Sequence, residues 1–139
     1  MKNYEKAAEY VKTFEGYAPL AYVCPTGHMT VGYGHNLEDN AIGKTVANML
    51  LKQDLEQAER AVKQAFPWYE QLDEVRQFVI VDMAFNMGIK KLCSFKKTIA
   101  HIVAGDYEAA STEMLDSKWA TQVKGRAYKL AYIMRTGEY

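Results

Sequence analysis

Three residues near the start of the chain carry groups able to do chemistry together: Glu15, then eight residues, Cys24, then five residues, Thr30. Glu15 falls where an amphipathic helix reads as ending, and Gly16 closes it, since glycine is the usual residue for the left-handed backbone that stops a helix. At that end the helix dipole is negative and disfavours an ionised carboxylate. Burial against Phe14 or Tyr17 would act in the same direction. A carboxyl kept protonated near neutral pH can donate a proton to a leaving oxygen. Cys24 supplies a thiol, which ordinarily titrates at about 8.5 and is a poor base unless that value is lowered. Thr30 can both donate and accept a hydrogen bond, so it suits a water molecule held beside Cys24.

Each residue also has an ordinary reading. Glu15 alone is a solvated helix-end glutamate, Cys24 a small hydrophobe in a hairpin, and Thr30 a good strand former. Cys24 could instead be a nucleophile with His28 or His35 as base, although nothing places it at a helix N-terminus, where its thiol would ionise more easily. A metal cluster of Cys24, His28 and His35 lacks both a regular spacing and a fourth ligand. Gly32-Tyr33-Gly34 lacks the third glycine of a dinucleotide fingerprint; glycines there let the backbone approach a flat ligand closely. Phe85-Asn86 ends an apolar helix with an aromatic face and an amide, a pairing that suits sugars, whose rings have apolar faces and polar edges. The ordinary reading of Phe85 is core.

The Glu15, Cys24, Thr30 spacing, followed by Gly32-Tyr33-Gly34-His35, resembles the catalytic signature of the phage-type lysozymes of glycoside hydrolase family 24, in the subgroup with Cys in place of the catalytic Asp. The likeness continues through Phe85-Asn86-Met87-Gly88, Trp119, Arg126 and Arg135-Thr136-Gly137, nearly the whole chain. It implies an inverting muramidase that cuts the β-1,4 bond between N-acetylmuramic acid and N-acetylglucosamine in bacterial peptidoglycan during phage-driven lysis. On that likeness Glu15 is the general acid. Cys24 and Thr30 handle water, with two roles open for Cys24: thiolate base, or a partner that helps place the water. Gly34, His35, Leu37, Phe85, Asn86 and Arg126 contact substrate, His35 in a structural or supporting role. Arg126 is expected near Glu15, where its charge would oppose the effect of the helix dipole. No cofactor and no metal are implied. The competing classes are a wall-binding module that kept the fold and lost the chemistry, and a Cys-dependent hydrolase.

The elements that must position these groups follow from periodicity. Residues 3–15 repeat apolar side chains at Tyr4, Ala7, Ala8, Val11 and Phe14, a helical stripe. Leu20–Val23 and Met29–Tyr33 read as strands joined by the turn Pro25-Thr26-Gly27. A long helical pattern runs from about Lys44 to Ala65, with Glu56–Arg60 and Glu59–Lys63 as i, i+4 pairs, and Pro67 ends it. Glu74–Met87 is apolar on nearly every side and reads as a buried central helix. Ser94 and Asp106 are expected N-caps for helices over 95–104 and 107–115, and a last helix covers about 125–134. The class is α+β, predominantly α. The arrangement expected is a small β-hairpin lobe at about 16–43, a connecting helix at about 44–65 and a helical lobe at about 66–139 that includes the N-terminal helix. A cleft between the lobes is then the natural ligand site.

Bulk properties bound the rest. At 139 residues the chain suits one domain with a real core. Seventeen basic and seventeen acidic residues balance, giving no mandate for nucleic acid or an anionic membrane. Any wall binding must rest on the cleft or on local charge. No apolar run approaches the roughly 20 residues of a membrane span. The first residues lack the apolar stretch of a secretory signal, so the expectation is a monomer held in the cytoplasm of the producing cell, reaching the wall after a separate membrane-permeabilising protein opens the way. Cys24 and Cys93 form no disulfide framework and are expected free.

Overall fold

A computed structural model describes all of residues 1–139 and has eight α-helices, one 3₁₀ turn and three strands. The class is α+β and predominantly helical, with a single three-stranded antiparallel sheet in the order β1-β2-β3. The chain divides into two compact units, Met1–Ala47 and Asn48–Tyr139. No helix is long and apolar enough to cross a membrane.

The first unit is helix α1 (Tyr4–Glu15) followed by strands β1 (Ala18–Val23), β2 (Met29–Gly32) and β3 (His35–Asn36). Asn3 caps α1 by accepting from the Lys6 amide, and Gly16 ends it with φ 69° while its N–H bonds the Lys12 carbonyl. Both ends are therefore set by local chemistry. The apolar stripe forms a helix as its period requires, yet none of the α1 side chains is buried. β1 pairs with β2 through Tyr22 opposite Thr30 and Val23 opposite Met29, with an irregularity between Ala18 and Tyr22. The short β3 was not apparent from periodicity; it adds Thr30 opposite Asn36 and Val31 opposite His35. Two residues are too few to show an alternation.

In the second unit the expected long helix is present as α2 (Lys44–Ala65), whose first turn crosses the boundary between the units, and the central apolar run forms α3 (Glu74–Met87). Asp73 caps α3 through the Arg76 amide. The core is one cluster that includes Val62, Phe66, Val79, Ile80, Met83, Leu92, Ile102, Met114, Trp119, Leu130 and Met134. α3 supplies its centre, but Phe78 and Phe85 remain 37% and 38% exposed. The helix is thus buried along one broad face rather than all round.

Two local expectations are corrected. Ser94 does not cap the next helix: it closes α4 (Ile89–Cys93), its hydroxyl donating back to the Lys91 carbonyl, and α5 (Lys96–Val103) starts after Phe95 with no side-chain cap. A serine hydroxyl satisfies an orphan carbonyl as readily as an orphan amide. Glu56 pairs with Lys52 at 3.9 Å rather than with Arg60, while Glu59–Lys63 forms at 3.4 Å. Asp106 caps α6 (Tyr107–Leu115) as expected, accepting from the Ala109 amide. α7 (Lys118–Val123), capped by Ser117, precedes the last helix α8 (Gly125–Thr136); α4 and α7 are too short for an apolar period to repeat.

Candidate active site

In the first unit Glu15, at the last turn of α1, lies over the backbone of the β2–β3 turn. A Cβ built on Gly34 would stand 2.7 Å from the Glu15 Cδ and 2.8 Å from its Oε2, and Gly34 has φ +78°. Only glycine both adopts that backbone and leaves room for the carboxyl group. Tyr33, between the two turn glycines, packs its ring 5.5 Å from that of Tyr17 and lies 5.6 Å from the Lys12 ammonium. These contacts tie the hairpin to the end of α1 and so fix where Glu15 begins.

Cys24 follows β1 at the hairpin turn. Its amide donates to the His28 carbonyl at 2.9 Å, and the Gly27 amide donates to the Cys24 carbonyl at 2.8 Å, so the turn is tied twice. The thiol is half-buried. It lies 3.0 Å from the Thr26 hydroxyl. The Cys24 thiol is brought down to about 6, chiefly by that hydrogen bond, with Thr30 and the His28 backbone contributing. Hydrogen bonds to sulfur favour its ionised form. Thr30 is buried, at 3% exposure. It has a single hydroxyl proton, which it donates to the His28 carbonyl at 2.9 Å; it can serve the thiolate only by turning away from that carbonyl.

The hairpin is braced from the β3 side. His28 Nδ1 lies 3.2 Å from Glu38 Oε2 and 3.5 Å from Asp39 Oδ2. Glu38 also accepts from the Met29 amide, and Asn36 accepts from the amides of Glu38 and Asp39. The carboxylates raise the pKa of His28, the Glu38 hydrogen bond first among the causes. The Met29 amide and then His28 lower that of Glu38. His35 stands in the β2–β3 ladder opposite Val31. Its Nε2 is buried with no hydrogen-bond partner, so no bond to Glu15 is formed. The half-exposed Leu37 returns its amide to the Met29 carbonyl at 2.8 Å.

The second unit holds the remaining candidates on α3 and α8. Phe85 borders a hollow of about 480 Å³ together with Asp54, Gln57, Ala58, Ala61 and Ile89. The Asn86 carbonyl oxygen accepts from the Trp119 indole at 2.8 Å. That bond fixes which face of the amide is presented and leaves its NH₂ free for a ligand. Trp119 itself is core, at 2% exposure. Arg126 is forked onto Asp82, Nε to Oδ1 at 2.9 Å and Nη2 to Oδ2 at 3.0 Å, with its guanidinium 6.0 Å from the Phe85 ring centre. Its charge is balanced within its own unit.

Thr26, Asp82 and Tyr33 carry roles that the sequence reading gave them no part in. Asp82 had a legible signal: a lone acid inside the apolar run Phe78–Phe85 needs a partner. Thr26 had only a weak one, a hydroxyl two residues past a thiol in a tight turn. No group of three or more His, Cys, Asp or Glu side chains is arranged to hold a metal ion.

A family model described as Phage lysozyme matches residues 12–135. The chain is similar to the pre-baseplate central spike protein Gp5 of Enterobacteria phage T4, 27% identical over 158 residues that cover 94% of this chain and 28% of that protein. It is 30% identical to the probable T4-type lysozyme 1 of Dictyostelium discoideum over 69 residues, 50% of this chain and 41% of that one. An endolysin of Acyrthosiphon pisum secondary endosymbiont phage 1 aligns at 27% identity over 136 residues, 94% of this chain and 89% of the relative. The chain thus spans less than half the length of the first two relatives and most of the third. It belongs to the phage lysozyme family.

Proposed function

We propose that the chain is a peptidoglycan hydrolase of the muramidase type, in the group of glycoside hydrolase family 24 with Cys at the second catalytic position. It cuts the β-1,4 bond between N-acetylmuramic acid and N-acetylglucosamine, with inversion. The observation that carries the reading is the pairing in one small unit of a carboxyl group seated on Gly34 and a thiol brought down to about 6 beside two threonines. The relative named an endolysin, matched over 89% of its length, supports a role in host lysis.

Glu15 donates its proton to the glycosidic oxygen as the bond to the anomeric carbon breaks. A water held by Thr30 attacks that carbon from the opposite face, and its proton passes to the Cys24 thiolate. The sum is addition of one water, and solvent then returns the proton from Cys24 to Glu15. In the first unit Gly34, His35 and Leu37 contribute backbone and apolar contact to sugar. In the second, Phe85 offers a ring face, Asn86 an amide and Arg126 a guanidinium edge. The protein works as a monomer.

Release of reducing ends from purified peptidoglycan tests this. Glu15→Gln removes the proton donor while nearly keeping its shape, and the expected result is hydrolysis by the wild type and a loss of at least about 100-fold in the variant. A folded wild type that frees no reducing ends would sink the reading. The low-titrating thiol also fits a second one, amide hydrolysis with Cys24 as nucleophile; release of new amino groups without reducing ends would establish that instead.

A further inference from the structure

We propose that Thr26 is a positioning residue that holds Cys24 as its thiolate and aims it. The inference deepens the reading that Cys24 handles water. Sγ of Cys24 and Oγ1 of Thr26 stand 3.0 Å apart. The turn that joins them is closed by the Cys24 amide on the His28 carbonyl and the Gly27 amide on the Cys24 carbonyl, at 2.9 and 2.8 Å. Two backbone bonds across five residues leave the pair little freedom, so the hydroxyl is preorganised toward sulfur rather than recruited to it. Thr26 makes no other hydrogen bond through its hydroxyl, whereas the Thr30 proton is engaged on the His28 carbonyl at 2.9 Å. Of the two threonines beside the thiol, Thr26 is the one with a proton to give.

Charge does not supply the same effect. The ionisable groups facing this turn are His28, Glu38 and Asp39, with His28 Nδ1 at 3.2 Å from Glu38 and 3.5 Å from Asp39. His28 is the charged group that interacts with Cys24, each favouring the other's ionised form. Its ring is already engaged by Glu38 and Asp39, however, and the causes that bring the thiol down are hydrogen bonds. A thiolate on this hairpin therefore depends on hydrogen bonding, and the Thr26 hydroxyl is its principal donor. Valine in its place keeps the β-branched shape and removes only the donor.

The test is the pH dependence of iodoacetamide alkylation of Cys24 in the full chain. A Cys93→Ser background removes the other free, exposed thiol. The wild-type rate should rise with a midpoint of about 6. Thr26→Val should move that midpoint up by about one pH unit or more, the scale of one lost hydrogen bond to a charged group, and Thr26→Ser should restore it. A Thr26→Val midpoint equal to wild type would overturn the proposal, as would a midpoint that follows His28→Gln and not Thr26→Val. Thr26 is exposed, so neither substitution threatens folding. Alkylation is read without any hydrolysis. If Thr26→Val moves the midpoint while a folded wild type frees no reducing ends, the coupling stands and the muramidase reading falls.

Discussion

The carboxyl of Glu15 rests where the side chain of residue 34 would be: a Cβ on Gly34 would lie 2.7 Å from the Glu15 Cδ. The absent side chain is what lets a helix end and a strand turn share one spot. Conflict there is relieved on the Glu15 side, because the clashing atoms are the far end of a flexible chain.

Gly34→Ala should therefore harm function more than stability. The positive φ of 78° costs alanine about 1 kcal/mol, a small shift in melting temperature. Displacing the Glu15 carboxyl by an ångström or more should lower the rate of reducing-end release by about 100-fold. Melting and hydrolysis measured on the same sample check both parts; equal rates for Gly34→Ala and wild type would show that Glu15 does not depend on this seat.

The pH profile should follow Cys24. If its thiolate is the base, hydrolysis needs the ionised form and rises as pH increases through about 6, falling below it as the thiol takes up a proton. In Cys24→Asp the rise should move down to about pH 4, the ordinary aspartate range. Cys24→Ser, which cannot ionise near neutrality, should lose at least about 100-fold. Full activity in Cys24→Ser would leave this residue only the placing of water. Linkage has the same sign: a depressed thiol pKa stabilises the fold above the free-thiol range, and the contribution is lost as pH falls through about 6.

Asp82 should prove to be the partner that keeps Arg126 in place. Asp82→Asn retains the shape and removes the counter-charge, and the fork is partly exposed, at 17% for Asp82 and 38% for Arg126. Allowing for screening, the expected cost is about 1 kcal/mol. Substrate binding should weaken with it, seen as a raised KM with kcat little changed. Trp119→Phe should likewise raise KM, because the Asn86 amide loses the 2.8 Å bond that orients it.

Arg76 should matter to stability alone. Its Nε donates to the Met134 carbonyl at 2.7 Å, Nη2 to the Arg135 carbonyl at 3.2 Å and Nη1 to Asp73 at 2.9 Å. Its guanidinium lies 3.8 Å from the Tyr107 ring centre. It closes the end of α8 while pinning α3. Arg76→Lys keeps the charge but loses the planar fork, and should cost about 2 kcal/mol in denaturant unfolding. A loss under about 0.5 kcal/mol would mean that solvent satisfies those carbonyls equally well.

Much of this was legible before any coordinates. The period of Lys44–Ala65 and the apolar density of Glu74–Met87 mark two helices, and Asp106 takes the cap its local chemistry suits; Asn3, Asp73 and Ser117 cap their helices in the same way without having been singled out. Glu15, Cys24 and Thr30 could be singled out because their spacing survives in one dimension. Ser94 misled because the same hydroxyl can close the helix behind it or open the one ahead, and only the packed chain chooses. The elements missed, β3, α4 and α7, span too few residues for an apolar repeat to show.

What sequence determined here is the set of elements and the identity of the reactive groups, since propensity, capping and periodicity act between near neighbours. What tertiary structure decided is who faces whom: Gly34 under Glu15, the Thr26 hydroxyl on the Cys24 sulfur, Asp82 on Arg126, Trp119 on Asn86. Those pairings span 2 to 44 residues of chain. They depend on rotamers, on the single proton of a hydroxyl and on the direction of a guanidinium fork, quantities that a linear string does not carry and that take values only once the backbone has closed around them.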